Sequence, residues 1–313
     1  MHSPAITFSV IIPNFNNGDT LGRAIASVLA QTFAAAEIII IDDGSTDGSR
    51  QVAAQFGEQV RYVYRDNAGV SAARNYGAGI ATGTWLAFLD ADDTYMPNRL
   101  EAHASWLARE PDLDFLFGDQ EYRNHDGEFL QMAIDASAGG RMLVARNPAL
   151  REIPIAASDF EALIADGFSE IRTLSIPRAT FDALGGFPVD RKIGEDLFFF
   201  IRMFMRSRKG GVVNLPLAIY YIYPNSALRK NVVLSQKAFI NTLESLAGEL
   251  ATARPGLRRG WKAKLRQARL SLAYMFLRAD DKRAAIKSVL PLLKTHPSLG
   301  SLRDLASIMR GLS

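Results

Sequence analysis

Residues 37–47 read EIIIIDDGSTD, a run of four isoleucines that opens at Glu37 and is stopped by Asp42-Asp43-Gly44. Branched apolar side chains in unbroken succession favour a short extended segment, and the acidic glycine turn bounds it, so Glu37–Ile41 is predicted to be a buried strand. Toward the N-terminus, Phe8–Ile12 is a second such run, bounded by Pro13. Between the two, Leu21, Ile25, Val28 and Leu29 recur at helical spacing behind the cap candidates Asp19 and Thr20. Strand, helix and strand in that order form the unit from which parallel sheets are built. The alternation continues with a helix over Ser45–Phe56 capped by Ser45 or Thr46, a strand over Val60–Tyr64, a helix over Val70–Ala81 and a strand over Trp85–Leu89. A helix over Asn98–Ala108 and a strand over Asp114–Gly118 follow. Asn124-His125-Asp126-Gly127 then reads as a hairpin turn, after which the pattern turns irregular.

The chain has 313 residues, 48% of them apolar, enough to bury a substantial core without a metal or disulfide staple. It contains no cysteine, which excludes thiol nucleophiles, thiolate metal sites and disulfides. Met1–Ser9 lacks the basic stretch, apolar core and cleavage site of an export signal, so the expected location is the cytoplasm. The apolar runs Leu197–Met205 and Val212–Tyr223 are too short to span a bilayer and are interrupted by Arg202 and Pro216.

A formal net charge of +3 conceals an uneven distribution: residues 224–313 hold 17 Lys/Arg against 5 Asp/Glu, a net +12, which leaves −9 for residues 1–223. An acidic front argues against a nucleic-acid-binding core. The basic tail invites an anionic partner such as a phospholipid surface, the alternative being a solvated helical face. Beyond Tyr223 the composition is helical, with an amphipathic stripe through Leu257, Trp261, Leu265, Leu272 and Phe276 and a helical pair around Ala284–Leu293 and Leu302–Met309. A boundary is expected near Pro224. The stripe either packs on the preceding domain, the favoured reading, or lies in a membrane interface.

In open α/β sheets, ligands bind beyond the carboxyl ends of the strands. Here those ends carry Pro13-Asn14-Phe15-Asn16, then Asp42-Asp43-Gly44-Ser45-Thr46-Asp47, then Asp90-Ala91-Asp92-Asp93. Several carboxylates at one sheet edge repel unless a cation or hydrogen-bond donors compensate. Hard oxygen ligands at Asp90, Asp92 and Asp93 suit magnesium or manganese, which complete their shells with water and phosphate oxygens. Taken alone, Asp90–Asp93 also reads as a turn that caps the helix over Asn98–Ala108. Neither a Gly-x-Gly-x-x-Gly turn nor a Gly-Lys-Ser/Thr loop nor a Gly-x-Ser-x-Gly elbow is present, and the histidines His2, His103, His125 and His296 have no metal or triad spacing. Dinucleotide, ATPase, serine-hydrolase and zinc chemistries are thereby disfavoured.

In order along the chain stand SVIIPNFN (9–16), SVLAQT (27–32), EIIIIDDGSTD (37–47), NAGVSAARNYG (67–77), ATGTWLAFLDADD (81–93) and LGGF (184–187) with GEDL (194–197). From Phe8 to Tyr223 the chain thus resembles family 2 glycosyltransferases of the glycosyltransferase-A fold, many of which assemble bacterial polysaccharides and glycolipids of the cell envelope. The resemblance implies a Rossmann-like, mostly parallel central sheet flanked by helices, with a C-terminal helical extension. Residues 1–223 would be the catalytic domain, divided into a nucleotide half (1–110) and an acceptor half (111–223), and 224–313 the extension.

By the same resemblance, Pro13, Phe15, Asp43, Gly69, Arg74, Asp90 and Asp92 bind the nucleotide-sugar, with Phe15 against the pyrimidine, Asp43 bonded to it and Arg74 near the diphosphate. Asp42 is structural, and Asp92 and Asp93 hold Mn2+ or Mg2+. Asp196 is the catalytic base that gives inversion, and Glu195 contacts the acceptor or supports the base. The implied partners are a UDP-linked hexose and a glycan or lipid-linked glycan hydroxyl, with peripheral contact to the inner face of the membrane through the basic helices. A histidine frequent in this family after the final strand has no counterpart in Tyr220–Ser226. The other readings weighed are a sugar-nucleotide-binding scaffold without turnover, against which Asp43, Asp92, Asp93 and Asp196 together speak, and a sugar nucleotidyltransferase, which would want a basic glycine-rich loop at Asn14–Gly18.

Overall fold

The isoleucine run becomes the second strand of a parallel sheet that is buried on both faces. In a computed structural model, which describes residues 5–224, 231–295 and 299–310, the first half of the chain forms β1 (Phe8–Asn14), α1 (Gly18–Leu29), β2 (Glu37–Asp42), α2 (Ser49–Ala54), β3 (Arg61–Tyr64), α3 (Val70–Ile80) and β4 (Trp85–Phe88). The strands pair in parallel in the order β3-β2-β1-β4, with Ile11 of β1 opposite Ile39 on one side and Phe88 on the other. Every residue of β1 is buried. This accounts for the lack of polar alternation in its sequence.

Next come β5 (Thr94–Tyr95), α4 (Arg99–Arg109), β6 (Leu116–Asn124), β7 (Phe129–Met132), α5 (Ala133–Ala136), α6 (Ala138–Arg146), β8 (Glu152–Ala156), α7 (Phe160–Ala165), β9 (Ser175–Pro177), α8 (Arg178–Leu184), α9 (Glu195–Arg206) and β10 (Lys209–Ile222). They extend the sheet as β4-β9-β6-β10-β5. Strand β9 runs antiparallel to both β4 and β6, β10 runs parallel to β6, and β7 and β8 add antiparallel to β6 and β10.

Local expectations fail where side chains are used elsewhere. Pro13 does not end β1, which runs to Asn14, because β4 pairs with β1 only as far as Ile11 and no donor is required from Pro13 on that side. Helix α1 is capped at Asn17, whose carbonyl accepts from the amides of Thr20 and Leu21, while Asp19 lies in its first turn. Helix α2 starts at Ser49 rather than Ser45, since the Ser45 amide donates to Asp42 Oδ1 (2.7 Å) and Asp47 Oδ2 accepts from the Gly18 amide (2.8 Å), which holds residues 43–48 as a loop. The turn at 124–127 joins β6 to β7, with Gly127 at φ +88°.

The C-terminal helices are Val232–Ser245, Ala247–Leu250, Pro255–Arg278, Lys282–Val289, Leu292–Thr295 and Leu299–Arg310. The amphipathic stripe packs inward: Leu257, Trp261, Leu265 and Leu272 share one apolar cluster with Phe160 and Leu163 of α7 and Phe204 of α9, and Phe276 packs at its margin. Trp261 Nε1 donates to the carbonyl of Leu243 at 2.8 Å. The stripe is therefore not available to a lipid surface. Helix Pro255–Arg278 crosses α7 so closely that a Cβ on Gly260 would meet the Glu161 carbonyl oxygen at 2.5 Å. Gly260→Ala is expected to cost about 1–3 kcal/mol through overpacking, read as a lower midpoint in urea unfolding. Wild-type stability in that variant would mean that the two helices separate without cost. Among the described residues, no helix is long and apolar enough to cross a membrane.

Candidate functional site

The carboxyl ends of β1, β2 and β4 open on a cleft of about 840 Å³ whose wall includes Pro13, Phe15, Asp43, Gly69, Arg74, Asp90 and Asp92. All seven residues expected to bind a nucleotide-sugar are thus brought together. The Phe15 ring, 48% exposed, stands unstacked at the cleft. Asp43 is buried, and its carboxylate accepts from the amides of Ala68 (3.1 Å) and Gly69 (2.6 Å) with Arg65 Nε 3.5 Å away. Gly69 turns the chain with φ +92°, a conformation open to glycine. Asp42 points into the protein, accepting from the Tyr62 hydroxyl (2.5 Å) and the Ser45 amide; burial and this carboxylate raise the Tyr62 pKa. It ties β2 to β3, as its structural reading expects.

A second cavity of about 540 Å³ shares Arg74, Asp90, Lys192 and Ile193 with the first and reaches the start of α9, where Glu195 and Asp196 line it. The Gly-Gly-Phe turn fixes that start: Gly185 and Gly186 have φ of +76° and +70°, and Asn75 clamps Phe187, its Nδ2 donating to the Phe187 carbonyl and its Oδ1 accepting from the Phe187 amide, both at 2.8 Å. Asn75 follows Arg74, so one turn of α3 positions both the guanidinium and the approach to α9. Asp196 Oδ1 accepts from the Leu197 amide at 2.6 Å.

Arg74 is the partition between the cavities. Buried itself, it donates through Nη2 to Asp90 (2.7 Å) and through Nη1 to Glu195 (3.2 Å). A second guanidinium, Arg172, with 11% of its side chain exposed, pairs with Asp93, with Asp90 (3.3 Å) and with Glu170 (3.1 Å), and lies 4.0 Å from the centre of the Tyr220 ring. These two guanidiniums pair with four acids, Asp90, Asp93, Glu170 and Glu195, while Arg191 and Lys192 line the cleft without joining those pairs. Burial would raise Asp90, but Arg74 and Arg172 outweigh it and hold this carboxyl below its usual range. Burial pushes Asp93 up to about 8 despite the adjacent Arg172, and Glu170 up to about 7. Burial and then the neighbouring Asp196 push Glu195 up to about 7, and burial and then Asp90 raise Asp92.

Asp92 and Asp93, the two expected metal ligands, stand differently in the site. Asp93 has no exposed surface; one carboxylate oxygen pairs with Arg172 and the other accepts from the Tyr221 amide at 3.0 Å, which turns it away from the cleft. Asp92 lines the cleft outside these ion pairs. Among the described residues, no group of three or more potential ligands is arranged to hold a metal unaided. The surplus of acids and the open Asp92 still fit a hard divalent cation that takes one carboxylate from the protein and its other ligands from water and substrate phosphates.

The sequence reading missed Arg172, Glu170 and Arg23. Arg23 donates to the Asp92 carbonyl (2.8 Å) and the Tyr223 hydroxyl (3.1 Å), tying α1 to the acidic loop and to the end of β10. The stretch FSEIRTLSIP (168–177) sets one acid and one base among apolar residues, a signal of a buried pair, although nothing in it names the partners.

Comparison with known proteins adds a family. Residues 9–147 match the model described as Glycosyl transferase family 2. A 109-residue segment is 47% identical to Uncharacterized glycosyltransferase YibD of Escherichia coli (strain K12), covering 34% of this chain and 31% of that protein. A 120-residue segment is 33% identical to UDP-Glc:alpha-D-GlcNAc-diphosphoundecaprenol beta-1,3-glucosyltransferase WfgD of Escherichia coli, covering 38% of this chain and 47% of that one. The chain thus spans 31% and 47% of the lengths of these two relatives. Among solved structures, S. aureus TarS 1-349 in complex with UDP-GlcNAc superposes with a TM-score of 0.69 at 16% identity, over 97% of this chain and 91% of that one. The mannosyltransferase PcManGT from Pyrobaculum calidifontis, in complex with GDP-Man and Mn2+, gives 0.60 at 18% identity, over 96% and 78%. At such identities these two likenesses speak for the fold.

Proposed function

From the match of residues 9–147 to the glycosyl transferase family 2 model and from the glycosyltransferase-A fold, we propose that the chain transfers a hexose from a UDP-sugar to a hydroxyl of a growing polysaccharide or lipid-linked glycan, with inversion and with a divalent metal. The observation that carries this reading is the pair of adjoining cavities, one lined by Phe15, Asp43 and Asp92 and the other by Asp196, which share Arg74 and Asp90. UDP-glucose in the name of WfgD and UDP-GlcNAc in the TarS complex favour a uridine donor, and the diphosphoundecaprenol-linked acceptor in that name favours a lipid-linked glycan.

In this reading Phe15 stacks on the pyrimidine, Asp43 adds a bond from the base to those that it receives from the 68–69 amides, and Arg74 meets the diphosphate. Mn2+ or Mg2+ bound at Asp92 would neutralise charge on the leaving diphosphate. The acceptor hydroxyl enters the second cavity, its proton passes to Asp196, its oxygen bonds to the anomeric carbon, and the nucleoside diphosphate leaves from the opposite face. Glu195, bound to Arg74, is a positioning group rather than a nucleophile, so a single displacement, and hence inversion, is favoured. The basic extension 224–313 gives the enzyme its contact with anionic lipid, each Lys or Arg near the surface contributing about 1 kcal/mol.

The test is nucleotide release from a panel of sugar nucleotides with Mn2+ and with EDTA, followed by the anomeric configuration of the product. Turnover with Mn2+ from a UDP-hexose alone, lost in EDTA, is expected; release from no donor would sink the reading and leave a binding protein. Phe15→Ala is expected to weaken UDP binding about 2- to 13-fold, equivalent to about 0.5–1.5 kcal/mol of ring stacking, measured by calorimetry. Unchanged affinity would remove Phe15 from the base pocket.

A further inference from the structure

The cavity beside Asp196 is closed on its far side by residues of the C-terminal helices. Val232, Ser235, Gln236 and Phe239 line it, and these positions fall on one face of the helix Val232–Ser245; Met275 of the helix Pro255–Arg278 joins them. In a surface helix that stripe would be apolar and turned to the core. Here it mixes apolar and polar groups and faces a void. All five lie beyond the family match, which ends at residue 147.

The face is held against the catalytic residues. Thr242 Oγ1 donates to the Ile193 carbonyl at 2.8 Å, and the Phe239 ring packs on Gly194, where an added Cβ would come within 2.7 Å of it. Gly194 directly precedes Glu195 and Asp196, so Phe239 sits beside the start of α9. Gln236 Nε2 donates to the Ala268 carbonyl at 2.8 Å, which fixes the amide and leaves its Oε1 as an acceptor. The opposite wall offers Glu195 and Asp196; its Arg172 is occupied by three carboxylates and its Arg74 by two, and Lys192 stands where this cavity meets the donor cleft. A neutral ring with one C–H face and hydroxyls at its edge matches both sides, the face against Phe239, Val232 and Met275 and the hydroxyls against Gln236 and Ser235.

We infer that the C-terminal helices complete the acceptor subsite and that this face, through Phe239, Gln236 and Ser235, holds the pyranose ring of the acceptor. The inference rests on the transferase reading for its link to Asp196, and the experiment separates the two. The 313-residue chain is titrated with p-nitrophenyl glucopyranoside, p-nitrophenyl N-acetylglucosaminide and glycerol. Binding is followed by saturation-transfer NMR, and nucleotide release from UDP-glucose and UDP-GlcNAc is followed with and without each compound.

The expected result is binding of at least one pyranoside and not of glycerol. Gln236→Ala and Phe239→Ala should each weaken pyranoside binding about three- to tenfold, with UDP affinity unchanged. Phe239 also packs on Gly194, so Gln236→Ala and Ser235→Ala, which leave that packing alone, carry the decision. No pyranoside binding to the wild type, binding unaltered in Gln236→Ala and Ser235→Ala, or a parallel loss of UDP affinity would overturn the inference. Nucleotide release from no donor, with pyranoside binding intact and sensitive to Gln236, would overturn the transferase reading and leave the sugar subsite standing.

Discussion

Asp196→Asn is expected to lower the rate of sugar transfer by about 10²–10⁴-fold, the range that a positioned general base supplies, while UDP binding stays at its wild-type value. The substitution preserves shape, and the amide oxygen still accepts the Leu197 bond that fixes the side chain. What it removes is the capacity to take the hydroxyl proton as the oxygen attacks. UDP affinity is the control because Asp196 lines the second cavity and not the cleft that holds Phe15 and Asp43. Glu195→Gln is the informative contrast. Glu195 bonds to Arg74, which also holds Asp90 in the donor cleft, so its loss should disturb donor affinity and rate together. Transfer rates above a tenth of wild type in Asp196→Asn would move the base to another carboxylate of the cavity wall, with Glu195 the first to examine.

The features legible in the sequence are those written locally. Phe8–Ile12 and Glu37–Ile41 announce buried strands because short runs rich in β-branched residues have few alternatives, and the polar residues that follow them, Asn14 and Asp42–Asp43, lie at the sheet's carboxyl edge because parallel topology puts them there. The seven cleft residues were readable for the same reason. The partners of Asp93 were not legible because its surroundings come from distant segments. Arg172, 79 residues away in sequence, and the Tyr221 amide, 128 away, take its two oxygens, and neither is announced by the acidic motif.

The cap of α1 and the start of α2 were missed on a smaller scale for a related cause, since Asp47 and Ser45 bond across to the β1 loop instead of capping the nearest helix. The amphipathic stripe of Pro255–Arg278 was plain, but its destination was not: a period of 3.6 residues shows that a face is apolar and not what covers it. Phe160, Leu163 and Phe204 supply that cover.

The dependence on distant partners makes Arg172→Met the second large expected effect, here on stability. The guanidinium, 11% exposed, stands among Asp90, Asp93 and Glu170, and removing it leaves Asp93 and Glu170 without an ionic partner while Asp90 keeps Arg74, at a cost of about 3–5 kcal/mol. The loss should depend on pH. With Arg172 present, burial already holds Asp93 at about 8 against an unfolded value of 3.8, and Glu170 at about 7 against 4.5. A carboxyl whose folded pKa is raised binds its proton more tightly in the native state, so its contribution is fully present below the unfolded value and is lost as pH rises through the folded one.

Without the guanidinium both folded values rise further, and the destabilisation should be largest near pH 8 and shrink toward pH 5, where the fold can hold these groups neutral. Thermal unfolding of wild type and Arg172→Met in EDTA at pH 5, 6.5 and 8 measures this directly. A gap that stays constant across the range would mean that Arg172 acts through its packing on Tyr220, 4.0 Å from the ring centre, rather than through its charge. A gap that widens with pH would identify the Arg172 charge as what limits the rise of Asp93 and Glu170 and helps Arg74 hold Asp90 ionised beneath the donor cleft.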